Sequence, residues 1–342
     1  MLEETIESVI CQSYTNWECI IVDDHSSDGS YELALELSNS NNKIKAYKRE
    51  GTTSGAPRCR NEGMMKSKGD YIIFLDSDDI LAPFCLEQRA KYISKYPFSS
   101  FIIFPILVFN KKLDDLNMLH NIKTEENDLD RFIKKDIVWL IMGPIWKRDF
   151  LLKIKGFDEN LPSQQDYDIH VRALLESPLY VYVKTTPDTY YRQITTEHPG
   201  RRSSSPTHLL AREAMLEKLI KLTISKNKMT GKRNFFFAQH LMHLALMWIW
   251  QKKTYSGNTF ILSLRIWKIG RNEKLFGQKI FFTGCIYLAL KNMLFLKQLR
   301  SIYNFLIHLC EQQLVEKYLY KRSSTVMTVK YIEGKTQEYI YS

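Results

Sequence analysis

A chain of 342 residues with 44% apolar content has room for one large α/β domain and a second, smaller unit, each with a core. The net charge of +10 suits an anionic partner, yet no helix-turn-helix, RNP or zinc pattern accompanies it, so nucleic acid is not expected. The six cysteines (Cys11, Cys19, Cys59, Cys85, Cys285 and Cys310) have no CxxC spacing. They read as reduced thiols of a cytosolic protein, and nothing at the amino terminus resembles a signal peptide.

The first segment, Leu2–Val9 followed by Gln12-Ser13-Tyr14, reads as a helix and turn. Trp17–Val22 is then an apolar strand that runs into Asp23-Asp24, and the cluster His25–Ser30 is a turn. A helix over 31–38, a short strand over Lys43–Lys48, a loop over Glu50–Pro57 and a helix opening at Arg58–Gly63 follow in order. Tyr71–Leu75 is a continuous apolar run that meets Asp76, Asp78 and Asp79. Such a run predicts a buried strand of a mostly parallel sheet, and aspartate, a poor strand residue, ends it. The alternation of strand and helix implies βαβ units, with the acids at strand carboxyl ends where open α/β sheets bind ligands. Crowded carboxylates repel unless a cation sits among them, and hard oxygen donors suit Mg²⁺ or Mn²⁺. The competing reading of the same acids is a turn that caps the next helix, with Pro83 in its first turn. Two acidic strand ends with Arg60 between them form a cleft for a nucleotide diphosphate.

Five ordered segments resemble family 2 inverting glycosyltransferases of the GT-A fold. They are the first helix and turn, Val22-Asp23-Asp24-His25-Ser26-Ser27-Asp28-Gly29, Arg60-Asn61-Glu62-Gly63 with Cys59 where Ala is usual, Phe74–Asp79, and Gly156–Glu159 with Gln165–Asp168 and Arg172. Lys155 and Gln165 depart from the family pattern in the last segment. The resemblance implies that Asp24 binds the nucleobase, Asp76 the ribose, and Arg60 ribose or phosphate. It implies Asp78 as metal ligand and Asp166 as the general base for the acceptor hydroxyl, giving inversion. For Asp166 the plain alternative is a helix-start acid. His198, in the loop Thr195–Pro206, is either a second metal ligand or a solvated histidine; Arg201 and Arg202 either reach the diphosphate or form a basic edge.

The resemblance also implies a first strand ahead of Leu2, so the chain reads as an N-terminally truncated member. Two functions follow from this: a sugar transferase that builds a cell-surface polysaccharide, using a nucleotide-diphosphate sugar (by family habit a UDP-sugar) and a glycan or lipid-linked acceptor, or a non-catalytic remnant that binds nucleotide or a partner.

Charge divides unevenly. Residues 1–200 hold 24 Lys/Arg against 31 Asp/Glu, a balance of −7, whereas residues 201–342 hold 24 against 7, or +17. A GT-A domain over 1–205 and a basic helical region over 206–342 are expected. Helical patterning covers Leu209–Ile224, Phe235–Gln251, Phe260–Ile269, Lys279–Leu296 and Leu299–Tyr320. Aromatic, aliphatic and basic residues mix there, which suits amphipathic helices on the anionic inner face of a cell membrane, or else a bundle with a solvated basic face.

Overall fold

Leu2–Ile10 forms helix α1, which buries Thr5, Ile6 and Val9 and carries Glu3 and Glu4 in its first turn, where acids complement the helix dipole. Strand β1 (Cys19–Asp23) is followed by α2 (Ser30–Ser40), β2 (Ile44–Lys48) and α3 (Ala56–Lys66). β1 and β2 pair in parallel, Cys19 with Ile44 through Asp23 with Lys48, as a βαβ connection requires. The structure, a computed structural model, describes residues 1–51, 53–113, 115–116, 118–136, 138–193, 205–250 and 327–328.

From the acidic strand onward the elements are β3 (Tyr71–Ile72), β4 (Ile80–Leu81), α4 (Cys85–Lys95), β5 (Phe101–Ile103), β6 (Ile106–Phe109) and β7 (Met118–His120). Then come α5 (Asp128–Ile133), β8 (Pro144–Lys147), α6 (Arg148–Lys153), α7 (Gln165–Leu175), β9 (Tyr180–Tyr182) and β10 (Thr189–Arg192). The last are α8 (Pro206–Ser225), α9 (Gly231–Trp250) and β11 (Met327–Thr328). The expected helices beyond Trp250 lie outside the described residues.

The α/β class stands, and β1 and β2 pair in parallel as expected, but the two larger sheets are mixed rather than mostly parallel. One sheet runs β3-β8-β5-β9, with β8 antiparallel to both its neighbours and β5 parallel to β9. Another, apart from the two-stranded β1-β2 sheet, runs β11-β7-β6-β10-β4, with only β6 and β10 parallel. The cause lies in segment 97–147, whose short strands fold back on one another instead of crossing over through helices. Only Tyr71 and Ile72 of the long apolar run join a ladder; Ile73–Leu75 continue outside it, with Phe74 buried.

Two compact units result, one of Met1–Phe132, Ile137–Pro199 and Thr325–Ser342, the other of Ile133–Asp136 and Gly200–Ser324. The core of the first is aromatic. Phe101 and Trp146 approach to 4.5 Å between ring centroids, and His170 stacks parallel to Trp146 at 5.8 Å. Arg89 on α4 is fully buried against Asp188, ahead of β10, and also donates to the Met142 carbonyl and Thr189 Oγ1. In the second unit α8 and α9 pack together, and Leu209, Leu216 and Leu219 of α8 and Phe237, Leu241 and Leu244 of α9 are buried. Ser205 caps α8, its Oγ accepting from the His208 amide, and Pro206 holds the first helical position.

Candidate active site

The acids after β3 separate into different environments. Asp76 keeps 41% of its side chain exposed, Asp78 is half-buried, and Asp79 is buried at 1%. Asp79 is therefore no cleft residue. Its Oδ1 accepts from the Arg192 amide at 2.8 Å, while Arg192 Nε donates to the Asp78 carbonyl and Nη2 reaches Glu4. Arg192 thus ties the acidic turn to β10 and α1. Burial, together with the neighbouring Asp78 and Asp76, pushes the Asp79 carboxyl up to about 8, although the Arg192 amide opposes this. Asp78 shifts upward too, through burial and then through Asp76. The helix-capping alternative fails: α4 begins at Cys85, its N-cap is Phe84, and the side chain that accepts from its first turn, at the Leu86 amide, is Gln12 rather than one of these acids.

Arg60 projects from α3 into this group. Its Nη2 donates to Asp76 Oδ1 at 2.6 Å and its Nη1 to Asp166 Oδ1 at 3.3 Å, so one guanidinium joins two carboxylates. Asp166 stands in the first turn of α7, as the plain reading held, and it also faces the cleft with 42% of its side chain exposed. Partial withdrawal from solvent within the cleft raises its carboxyl to about 6; Arg60 lowers it and Asp76 raises it further. A base with that pKa is ionised near neutrality yet still accepts a proton. One turn along α7, His170 is fully buried with both ring nitrogens unpartnered, and burial pushes its pKa down to about 3. It is a neutral core residue and offers no competing base. Tyr191 on β10 feels all four carboxylates (Asp79, Asp78, Asp76 and Asp166), which with burial raise its phenol pKa.

Asp24 sits at the amino end of α3. Its Oδ1 accepts from Arg49 Nε at 2.8 Å and its Oδ2 from the Gly55 amide at 2.7 Å. Gly55 has φ 153°, a conformation that side chains other than glycine rarely adopt, and this brings the amide onto the carboxylate. Asp23 turns inward, and its carboxylate caps its own turn by accepting from the Ser26 amide.

Of the residues singled out from sequence, Arg60, Asp76 and Asp166 touch one another, Asp78 adjoins them, and Asp24 lies at the amino end of the helix that carries Arg60. His198, Arg201 and Arg202 lie outside the described residues. Arg49, Asn61 and Arg192 were not anticipated as supports, because their partners are distant in sequence.

Among the described residues no group of three or more His, Cys, Asp or Glu side chains could close a metal site by itself. Asp76 and Asp78 do fit a cation shared with a ligand. They offer hard oxygen donors, and burial followed by the neighbouring Asp76 raises the Asp78 carboxyl, a cost that a divalent ion would relieve. The remaining ligands would come from diphosphate and water.

Residues 1–148 match the model of "Glycosyl transferase family 2". This part of the chain is similar to that family. An uncharacterized glycosyltransferase of Haemophilus influenzae is 30% identical over 200 residues, covering 58% of this chain and 65% of the relative. The Escherichia coli "UDP-Glc:alpha-D-GlcNAc-diphosphoundecaprenol beta-1,3-glucosyltransferase WfgD" is 38% identical over 94 residues, covering 28% of this chain and 36% of that one. The putative teichuronic acid biosynthesis glycosyltransferase TuaG of Bacillus subtilis is 36% identical over 92 residues, covering 27% of this chain and 36% of TuaG. The chain therefore spans about two thirds or less of these relatives. In fold it is similar to S. aureus TarS 1–349 in complex with UDP-GlcNAc, with a TM-score of 0.58 at 16% identity over 78% of this chain and 77% of that one. The GT-A fold is shared.

Proposed function

We propose that the protein transfers a glycosyl group from a nucleotide-diphosphate sugar to a hydroxyl of a glycan or lipid-linked acceptor, with inversion, in the assembly of a cell-surface polysaccharide. The observation that carries this reading is the Arg60 fork, which sets Asp76 and Asp166 on one cleft beside Asp78. Asp76 and Arg60 engage ribose and phosphate, and Asp24 with the Gly55 turn receives the base. The Asp166 carboxylate accepts the acceptor hydroxyl proton as that oxygen attacks the anomeric carbon. The bond from that carbon to the diphosphate oxygen breaks, and its electron pair leaves with the nucleotide diphosphate. General-base catalysis of this kind contributes about 10²–10⁴-fold. A Mn²⁺ or Mg²⁺ held by Asp78, with His198 as a further candidate ligand, would neutralise charge on the leaving diphosphate.

A UDP-sugar is favoured as donor because TarS was solved with UDP-GlcNAc and WfgD is named for UDP-Glc. The acceptor of WfgD is a lipid diphosphate by its name, and TuaG is named as a putative teichuronic acid biosynthesis glycosyltransferase, which supports a surface glycan here. The catalytic domain is read as 1–205. The +17 balance of residues 201–342 supports a peripheral seat on the anionic inner face of the membrane. Among the described residues no helix is long and apolar enough to cross a membrane.

The test is to incubate the protein and Mn²⁺ with labelled UDP-sugars and lipid-linked acceptors, and to read the product's anomeric configuration by NMR. Inverted product supports the reading, while retained configuration, or no transfer from any nucleotide sugar, contradicts it.

A further inference from the structure

The segment that leads to Asp166 is gripped from two sides by side chains the proposed reaction does not use. From α3, Asn61 Nδ2 donates to the Phe157 carbonyl at 2.9 Å and to Glu159 Oε1 at 2.9 Å, while its Oδ1 accepts from the Phe157 amide at 2.8 Å. One amide side chain therefore satisfies both backbone groups of Phe157. From α7, Arg172 donates to the Ile154 carbonyl at 2.5 Å and the Gly156 carbonyl at 2.6 Å, with its Nε on the buried Asp168 at 2.7 Å.

Gly156 is what allows the approach. Its φ is +55°, and a Cβ there would stand 2.4 Å from Asn61 Oδ1 and 2.9 Å from Met64 Cε. The Phe157 ring so placed meets Phe74 edge-on at 4.9 Å and lies 5.3 Å from the Arg60 guanidinium carbon. Phe157 is thus a wall against which Arg60 rests while it reaches Asp76 and Asp166.

We propose that Asn61 is a positioning residue: by holding both backbone groups of Phe157 it sets where Arg60 meets Asp166. The role needs an amide. Phe157 N–H demands an acceptor and Phe157 C=O a donor, so an aspartate of the same shape satisfies one and repels the other. Asn61 touches neither donor sugar nor acceptor in this account; it acts through Phe157 and Arg60. The inference rests on the reading of Asp166 as the base, and its test separates the two.

Full-length wild type, Asn61→Ala, Asn61→Asp and Gly156→Ala are compared by hydrogen exchange and by transfer kinetics. In the variants, peptides spanning 156–168 exchange at least about 10-fold faster, a rise comparable to losing a hydrogen bond of roughly 1.4 kcal/mol, while peptides of β5 and β8 keep the wild-type rate. Transfer falls in kcat by on the order of 10²-fold, as for a displaced catalytic group. UDP affinity changes little, and the acid limb of the pH profile moves up because Asp166 loses its cation. A role in stability alone would lower the melting temperature and leave that limb in place.

Unchanged exchange over 156–168, or an unmoved limb at wild-type kcat, overturns the proposal, as does unfolding of all three variants. If wild type transfers nothing, or Asp166→Asn transfers normally, the base reading fails. The exchange arm then still decides whether Asn61 holds the segment.

Discussion

Arg60 and Asp166 lie 106 positions apart in the chain and meet at 3.3 Å, Nη1 to Oδ1. The same guanidinium donates to Asp76, so a helix start, a strand end and a second helix start converge on one fork. A lysine offers one compact ammonium and cannot bridge two carboxylates in this plane. Arg60→Lys and Arg60→Ala should both lower kcat/KM for transfer by about 10²-fold, and Lys should rescue little. Recovery of most of the activity by lysine would show that charge alone is required.

Asp78 is the proposed cation ligand. Calorimetry of UDP with wild type should show binding that needs Mn²⁺ or Mg²⁺ and weakens strongly with chelator. Asp78→Ala should bind UDP equally weakly with and without the ion. A variant that keeps its ion dependence would place the cation elsewhere.

The Arg89–Asp188 pair is a matter of stability rather than chemistry. Both side chains are fully buried, so removing one partner strands a charge in the core. Arg89→Met should cost about 3–5 kcal/mol in urea unfolding, and replacing both partners by apolar residues should recover much of that loss. A loss near zero for the single variant would mean that water reaches the pair.

Much of the first 80 residues was legible because the apolar runs ahead of Asp23 and Asp76 end at acids and the Ser/Asp/Gly cluster His25–Ser30 marks a turn. α1, β1, α2 and β2 fall within two residues of expectation, while α3 begins at Ala56, ahead of Arg58, because Pro57 suits a first helical turn. Segment 97–147 is punctuated too, by Pro105, Asn110 and Asp114-Asp115, but strand direction there depends on partners the local pattern does not reveal. Asp76, Asp78 and Asp79 look alike in sequence, yet Arg192, 113 positions from Asp79, draws Asp79 inward. Asn61 and Arg49 stand near predicted site residues, but their support roles rest on contacts across 96 and 25 positions. Periodicity locates such residues; it does not show what they touch.

The basic carboxy-terminal region should bring the protein to anionic vesicles. Co-sedimentation should fall as salt rises, because the screening length shrinks from about 10 Å at 0.1 M to about 3 Å at 1 M. Tryptophan emission should also shift to the blue if Trp248, Trp250 or Trp267 inserts. Protein that stays in the supernatant at low salt yet binds duplex DNA tightly would replace the membrane with nucleic acid.

The pH dependence of transfer for wild type and Asp166→Asn tests the central claim most directly. A base must be ionised to accept a proton, and partial withdrawal from solvent holds Asp166 at about 6. Wild-type kcat/KM should therefore rise with pH through about 6 and level off above it. Asp166→Asn should bind UDP normally, lose about 10²-fold or more in rate, and lack that limb. A variant within a few-fold of wild type that keeps the limb would remove Asp166 from the chemistry.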